Sequence, residues 1–106
     1  MLEAKIIKEM AQANYEEIFD LWKSTDGMGL RSPDDSRQGI SAFLKRNPTT
    51  NFVATDNGKT VGTILCGHDG RRGYIYHTVV KESCRNQGIA TKLIEAAISA
   101  LQQVYH

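Results

Sequence analysis

Val79-Val80-Lys81-Glu82-Ser83-Cys84-Arg85-Asn86-Gln87-Gly88-Ile89-Ala90-Thr91 decides the fold, because here a β-branched run breaks into a polar loop and reopens as a helix. Arg85, Gly88 and Ala90 stand in an Arg-x-x-Gly-x-Ala spacing. A small-residue loop feeding a helix can turn several backbone N–H groups toward one point. The first helical turn has no internal partners for them, and the helix dipole adds partial positive charge, so the place suits an anion such as phosphate. The same spacing also serves plain turn chemistry. The residues on either side decide between the two.

Downstream, Ala90, Leu93, Ile94, Ala97, Ile98, Leu101, Val104 and Tyr105 recur at helical spacing and predict a long amphipathic helix. Upstream, from Asn51, the period is two. Phe52-Val53-Ala54-Thr55 runs into Asp56-Asn57-Gly58-Lys59, Val61 to Cys66 runs into Asp69-Gly70, and Tyr74 to Val80 follows. Asn-Gly and Asp-Gly between β-prone runs are hairpin signals, since both central residues of a type I′ turn need positive φ. The pattern predicts an antiparallel meander with apolar groups on both faces. By strict alternation Val61 and Leu65 oppose Ile64 and Cys66, while Ile75 and Val79 oppose Tyr74, Tyr76 and Val80. Such a sheet must be covered on both sides.

Toward the N-terminus, Ala4 to Ile7 is a short β-prone segment, and Asn14 with Glu17 reads as a capping pair. Tyr15, Ile18, Phe19 and Trp22 form one apolar stripe of the helix it opens. Ser24 to Pro33 reads as a loop, either a substrate lid or a connection. A second short helix from near Asp35 carries Ile40, Phe43 and Leu44 and ends before Pro48.

The 106 residues allow one modest core. A composition of 41% hydrophobic and 24% charged residues with net charge +1 argues against a nucleic-acid footprint, which needs clustered Lys and Arg. No apolar run is long enough to span a membrane, and the N-terminus lacks a signal-peptide core, so a cytoplasmic location is expected. Cys66 and Cys84 have neither a CxxC nor a zinc-type spacing, and His68, His77 and His106 are scattered, so no metal site is expected.

Val79-Val80, a four-residue spacer, Arg85-Asn86-Gln87-Gly88-Ile89-Ala90 and then an amphipathic helix resemble the acetyl-coenzyme A motif of the GNAT family of N-acetyltransferases. The order of elements over the whole chain agrees, and Ala90 stands where that family has Gly or Ala. The resemblance implies an α/β fold of the α+β kind, β-α-α-β-β-β-α, with a mostly antiparallel central sheet flanked by helices. It implies acetyl-CoA as cosubstrate and a primary amine, on a small molecule or a protein, as acceptor. The backbone of Thr78, Val79 and Val80 would pair with the pantetheine arm, and Arg85, Asn86, Gln87, Gly88, Ile89, Ala90 and Thr91 would wrap the pyrophosphate. The family continues with a fifth strand, a fourth helix bearing a tyrosine acid, and a hairpin. Residues 1–106 are therefore expected to be a GNAT domain truncated after the cofactor helix, inactive by itself and inclined to self-associate through the open sheet edge.

Direct attack of an amine on the thioester needs no covalent enzyme intermediate, so Cys84 reads as a filler residue. The attacking amine must lose a proton. His77 has the intrinsic chemistry for a base, and equally for a hydrogen-bonded packing histidine. Tyr74 and Tyr76 either touch the acceptor or pack on a helix. Two functions remain at this point: an acetyl-CoA-dependent N-acetyltransferase, and a non-catalytic module that binds CoA or another partner.

Overall fold

Asn57 and Gly58 take φ values of 53° and 82° in the computed structural model, which describes residues 5–25, 36–68 and 72–104. Both central residues of the turn are thus left-handed, as a type I′ hairpin requires. The turn joins β2 (Phe52–Asp56) to β3 (Lys59–His68), and β3 pairs onward with β4 (Gly73–Val80). β1 (Lys5–Glu9) lies antiparallel to β2, giving a four-stranded antiparallel sheet in the order β1-β2-β3-β4. The Asp69-Gly70 turn expected between β3 and β4 lies outside the described residues, as does the segment 26–35 with its expected lid.

Helices cover both faces. On one lie α1 (Tyr15–Lys23) and α2 (Arg37–Arg46), which enclose a core of Met10, Ile18, Leu21, Trp22, Ile40, Leu44, Val53, Leu65 and Val79. On the other lies α3 (Ile89–Val104), whose Ile89, Leu93 and Ala97 pack on Ala54, Val61, Ile64, Cys66 and Val80. Gly62 lets α3 approach, since a Cβ there would stand 3.1 Å from Leu93 Cδ1 and 3.2 Å from Ile89 Cγ2. Of the apolar stripe read for α3, Ile98 and Val104 are exposed.

Two β-bulges change which side chains share a face. Between Ala54 and Thr55 the ladder with β3 slips by one residue, and Val61 joins Ile64 and Cys66 instead of opposing them. Between β3 and β4, Thr63 pairs with Val79 but Leu65 pairs with Tyr76, so His77 and Thr78 together oppose Ile64. The extra residue reverses the alternation along β4. Tyr74, Tyr76 and Val79 therefore share the α1/α2 face, and Ile75 and Val80 share the α3 face. This corrects the faces read from period two, which cannot register an inserted residue.

Capping differs in detail from the sequence reading. Asn14 does open α1, but its Oδ1 accepts from Ala11 N–H at 2.8 Å, and Glu17 Oε1 reaches across to accept from Thr60 N–H at 3.1 Å. For α2 the cap is Ser36, whose hydroxyl accepts from Gly39 N–H at 3.0 Å.

β3 extends past the end of β2, and side chains from the preceding corner complete its hydrogen bonds. Asn51 Oδ1 accepts from Cys66 N–H at 2.7 Å, the Thr50 hydroxyl donates to Cys66 O, and Asn47 Oδ1 accepts from His68 N–H at 3.2 Å. Asn51 Nδ2 in turn donates to Asn47 O at 2.6 Å. All three corner side chains are buried. Asn51→Ala strands a buried backbone donor, and a loss of about 1 to 3 kcal/mol is expected. Urea unfolding measures it; an unchanged midpoint would mean that the corner relaxes to pair Cys66 by another route.

The Cys66 thiol is fully enclosed, and burial pushes its pKa above the ordinary value. The unfolded chain then ionises first. The stability tied to the neutral thiol is present below the ordinary pKa of about 9 and declines as pH rises through the raised one. A denaturation midpoint that falls above pH 9 in the wild type, and falls less in Cys66→Ala, is the expected result.

Candidate functional site

The end of β4 sets the site. Lys81 N–H donates to Val61 O at 2.7 Å in a final cross-strand bond, after which a 3-10 turn over Glu82–Cys84 lifts the chain off the sheet. Asn86 at φ 64° and Gly88 at φ 81° bring it back as the start of α3. Positive φ is costly for most residues, and Asn and Gly tolerate it best. Lys92 N–H is bonded to Gly88 O at 3.1 Å. The N–H groups of Ile89, Ala90 and Thr91 precede that bond and belong to the open first turn. No acidic side chain occupies that turn.

These backbone conformations enclose a cleft of about 220 Å³ lined by Val80, Cys84, Arg85, Asn86, Gly88, Ile89, Ala90 and Thr91. Arg85 is the charged member of that set, so the cleft combines a formal positive charge with the positive end of a 16-residue helix. An added Cβ at Gly88 would meet nothing within 4 Å, which leaves the backbone there open to a ligand. Arg85 also has a structural task, since its Nε donates to Val80 O at 3.1 Å and ties the loop to the strand end.

Of the residues singled out in the sequence, Val80, Arg85, Asn86, Gly88, Ile89, Ala90 and Thr91 come together around this cleft. Gln87 is exposed on the same loop, while Val79 is buried toward α1 and α2. Thr78 and His77 form the bulge of β4. The His77 side chain, and with it the reading of His77 as a base, lies outside the described residues. Cys84 lines the cleft half-exposed, with its Sγ 3.8 Å from the Ser83 hydroxyl. Among the described residues no group of three His, Cys, Asp or Glu side chains is placed to hold a metal ion. No described helix is long and apolar enough to cross a membrane.

The bulge is the feature next to the cleft that sequence reasoning missed. It leaves β4, the edge strand of the described sheet, kinked beside the cleft. The polar pair His77-Thr78 interrupting an apolar strand was its trace in the sequence.

With fold and site in view, the chain belongs to the Acetyltransferase (GNAT) family, whose profile it matches over residues 8–105. It is 35% identical over 88 residues to an acetyltransferase of Pectobacterium atrosepticum, a match that covers 83% of this chain and 61% of that one. The chain thus spans about three-fifths of the length of that relative. Among solved structures it is similar in fold to diaminobutyrate acetyltransferase EctA from Paenibacillus lautus, in complex with L-2,4-diaminobutyric acid and coenzyme A. That likeness has TM-score 0.79 and 19% identity, over 99% of this chain and 61% of that one. It is likewise similar to Ard1 from Thermoplasma volcanium, with TM-score 0.79 and 20% identity, over 96% of this chain and 66% of that one.

Proposed function

We propose that this chain binds acetyl-CoA across the end of β4 and the β4–α3 loop, and serves transfer of the acetyl group to a primary amine by direct attack on the thioester. The observation that carries the reading is the cleft at the start of α3, which Arg85 and the first helical turn line together with no carboxylate among the lining residues. Family membership and solved relatives with bound coenzyme A support it.

The pyrophosphate would lie on the N–H groups of residues 88–91, with the Arg85 Nη groups beside it. The pantetheine arm would follow the free edge of β4 in the manner of an added strand, toward Thr78. At the kinked end of the strand, backbone donors would hold the thioester oxygen. The amine lone pair attacks the carbonyl carbon, the oxyanion gathers on those donors, and collapse expels the CoA thiolate, leaving an amide. The amine must shed a proton and the thiolate must gain one. His77 is proposed as the base, from its place in the bulge. A proton donor and the far wall of the acceptor site are proposed to belong to the further length that the relatives possess.

Calorimetric titration with CoA tests the reading. Saturable binding is expected, and Arg85→Ala should weaken it by about 1 to 3 kcal/mol through loss of a charge-assisted hydrogen bond. No binding by the wild type would overturn the assignment.

A further inference from the structure

Asn57-Gly58 carries chemistry beyond its turn. A backbone nitrogen can attack the carboxamide carbon of the asparagine before it and close a five-membered succinimide ring, one reason asparagine counts among the thermolabile residues. The chain has Asn14, Asn47, Asn51, Asn57 and Asn86, and their surroundings separate them. Asn47 precedes Pro48, whose nitrogen has no proton to lose. Asn47 and Asn51 are also buried, with both ends of each carboxamide hydrogen-bonded. Asn14 is half-buried with its Oδ1 on Ala11 N–H. Asn86 is exposed, but Gln87 places a Cβ beside the attacking nitrogen. Asn57 is exposed and followed by glycine, where even an added Cβ would have no atom within 4 Å.

The closed turn withholds that reactivity. Asp56 pairs with Lys59 across it, and Asn57 has φ 53°. A type I′ turn holds ψ of its first central residue at about 30°, which puts the Gly58 nitrogen roughly 150° from the Asn57 Cβ about the Cα–C bond. Ring closure needs those two atoms nearly eclipsed. Bringing them together means turning the Gly58 peptide round, which breaks the pairing of Asp56 with Lys59. Reaction therefore waits on local opening of the hairpin end.

We propose that Asn57 is the deamidation site of this chain and that the closed hairpin gates it, so that the modification records opening of the β2–β3 turn. In the opened turn the Gly58 amide gives its proton to hydroxide and its nitrogen bonds to Asn57 Cγ. The Cγ–Nδ2 bond breaks, and the departing nitrogen takes up a proton and leaves as ammonia. Water then opens the ring at one carbonyl or the other, giving aspartate or isoaspartate. Isoaspartate adds a carbon to the main chain, so a two-residue turn no longer closes in the same register. Either product adds a carboxylate beside Asp56, whose Oδ1 is enclosed with no hydrogen-bond donor among the described residues. Both changes disfavour reclosure. The start of β3 is thereby loosened, and it is Val61 O there that receives Lys81 N–H at the end of β4.

The test incubates the protein in mildly alkaline buffer, once folded and once unfolded in urea, and follows each asparagine by peptide mass spectrometry that distinguishes aspartate from isoaspartate. Asn57→Gly is run alongside, since glycine keeps the positive φ and has no carboxamide. In urea, residue 57 is expected to convert before any other asparagine and to yield both acids. The folded protein should convert the same residue at least tenfold more slowly, and Asn57→Gly should lack the early conversion in both conditions. Conversion of another asparagine first, aspartate without isoaspartate, or no conversion in urea would overturn the site. Equal rates in the folded and unfolded protein would overturn the gate.

Discussion

Trp22→Ala is expected to remove about 3 to 5 kcal/mol of stability, the usual cost of emptying a buried aromatic site. Trp22 is fully buried at the centre of the core under α1 and α2, and its Nε1–H donates to the Thr63 hydroxyl at 3.0 Å on β3. It therefore joins helix to sheet by both packing and a buried hydrogen bond. Domains of this size have about 5 to 15 kcal/mol in total, so the variant should sit close to unfolding at room temperature. Urea unfolding followed by circular dichroism is the measurement, since the substitution removes the tryptophan signal. A midpoint shifted by less than about 0.5 M, against slopes of about 1 to 3 kcal/mol per M, would show that the core collapses around the gap.

Gly88→Glu is expected to abolish CoA binding while leaving the fold in place. At φ 81° a side chain is strained, yet an added Cβ meets no atom within 4 Å, so the cost to the fold is backbone strain and not a clash. A carboxylate at the start of α3 is favourable for the helix itself, which offsets part of that strain. For a pyrophosphate the same carboxylate is a like charge at short range. At about 4 Å and an effective dielectric constant near 20 the repulsion is about 4 kcal/mol, which is close to a thousandfold in affinity. Gly88→Asn separates the two effects, because Asn adopts positive φ without adding charge. It should bind CoA within about tenfold of wild type. Equal binding by all three proteins would show that the anion sits elsewhere.

Local chemistry was legible in the sequence wherever it acts over a few residues. Asn57-Gly58 made its turn, the apolar spacing of Ile40 and Leu44 gave α2, and Leu93 and Ala97 gave the buried line of α3. The cleft was legible for the same reason, as its lining comes almost wholly from one loop and the helix turn it feeds. Contacts between distant segments were not legible. The slip that makes His77 and Thr78 oppose Ile64 depends on β3 and β4 together, and it puts Val79 in place of Val80 on the face of Tyr74 and Tyr76. Asn14 and Glu17 were read as partners in one cap, whereas Glu17 serves Thr60 on β3, a residue 43 positions away. Asn47, Thr50 and Asn51 looked like loop residues, and their buried bonds to Cys66 and His68 follow only from β3 outrunning β2.

Whether the start of α3 is an anion site is addressed most directly by amide chemical shifts of the labelled chain titrated with CoA. Saturable shifts concentrated on the backbone amides of residues 85–91, with smaller ones along 78–80 and none for Gly88→Glu, are the predicted result. Shifts that never saturate, or that fall on the β2–β3 hairpin and α1 while residues 85–91 stay unmoved, would contradict it.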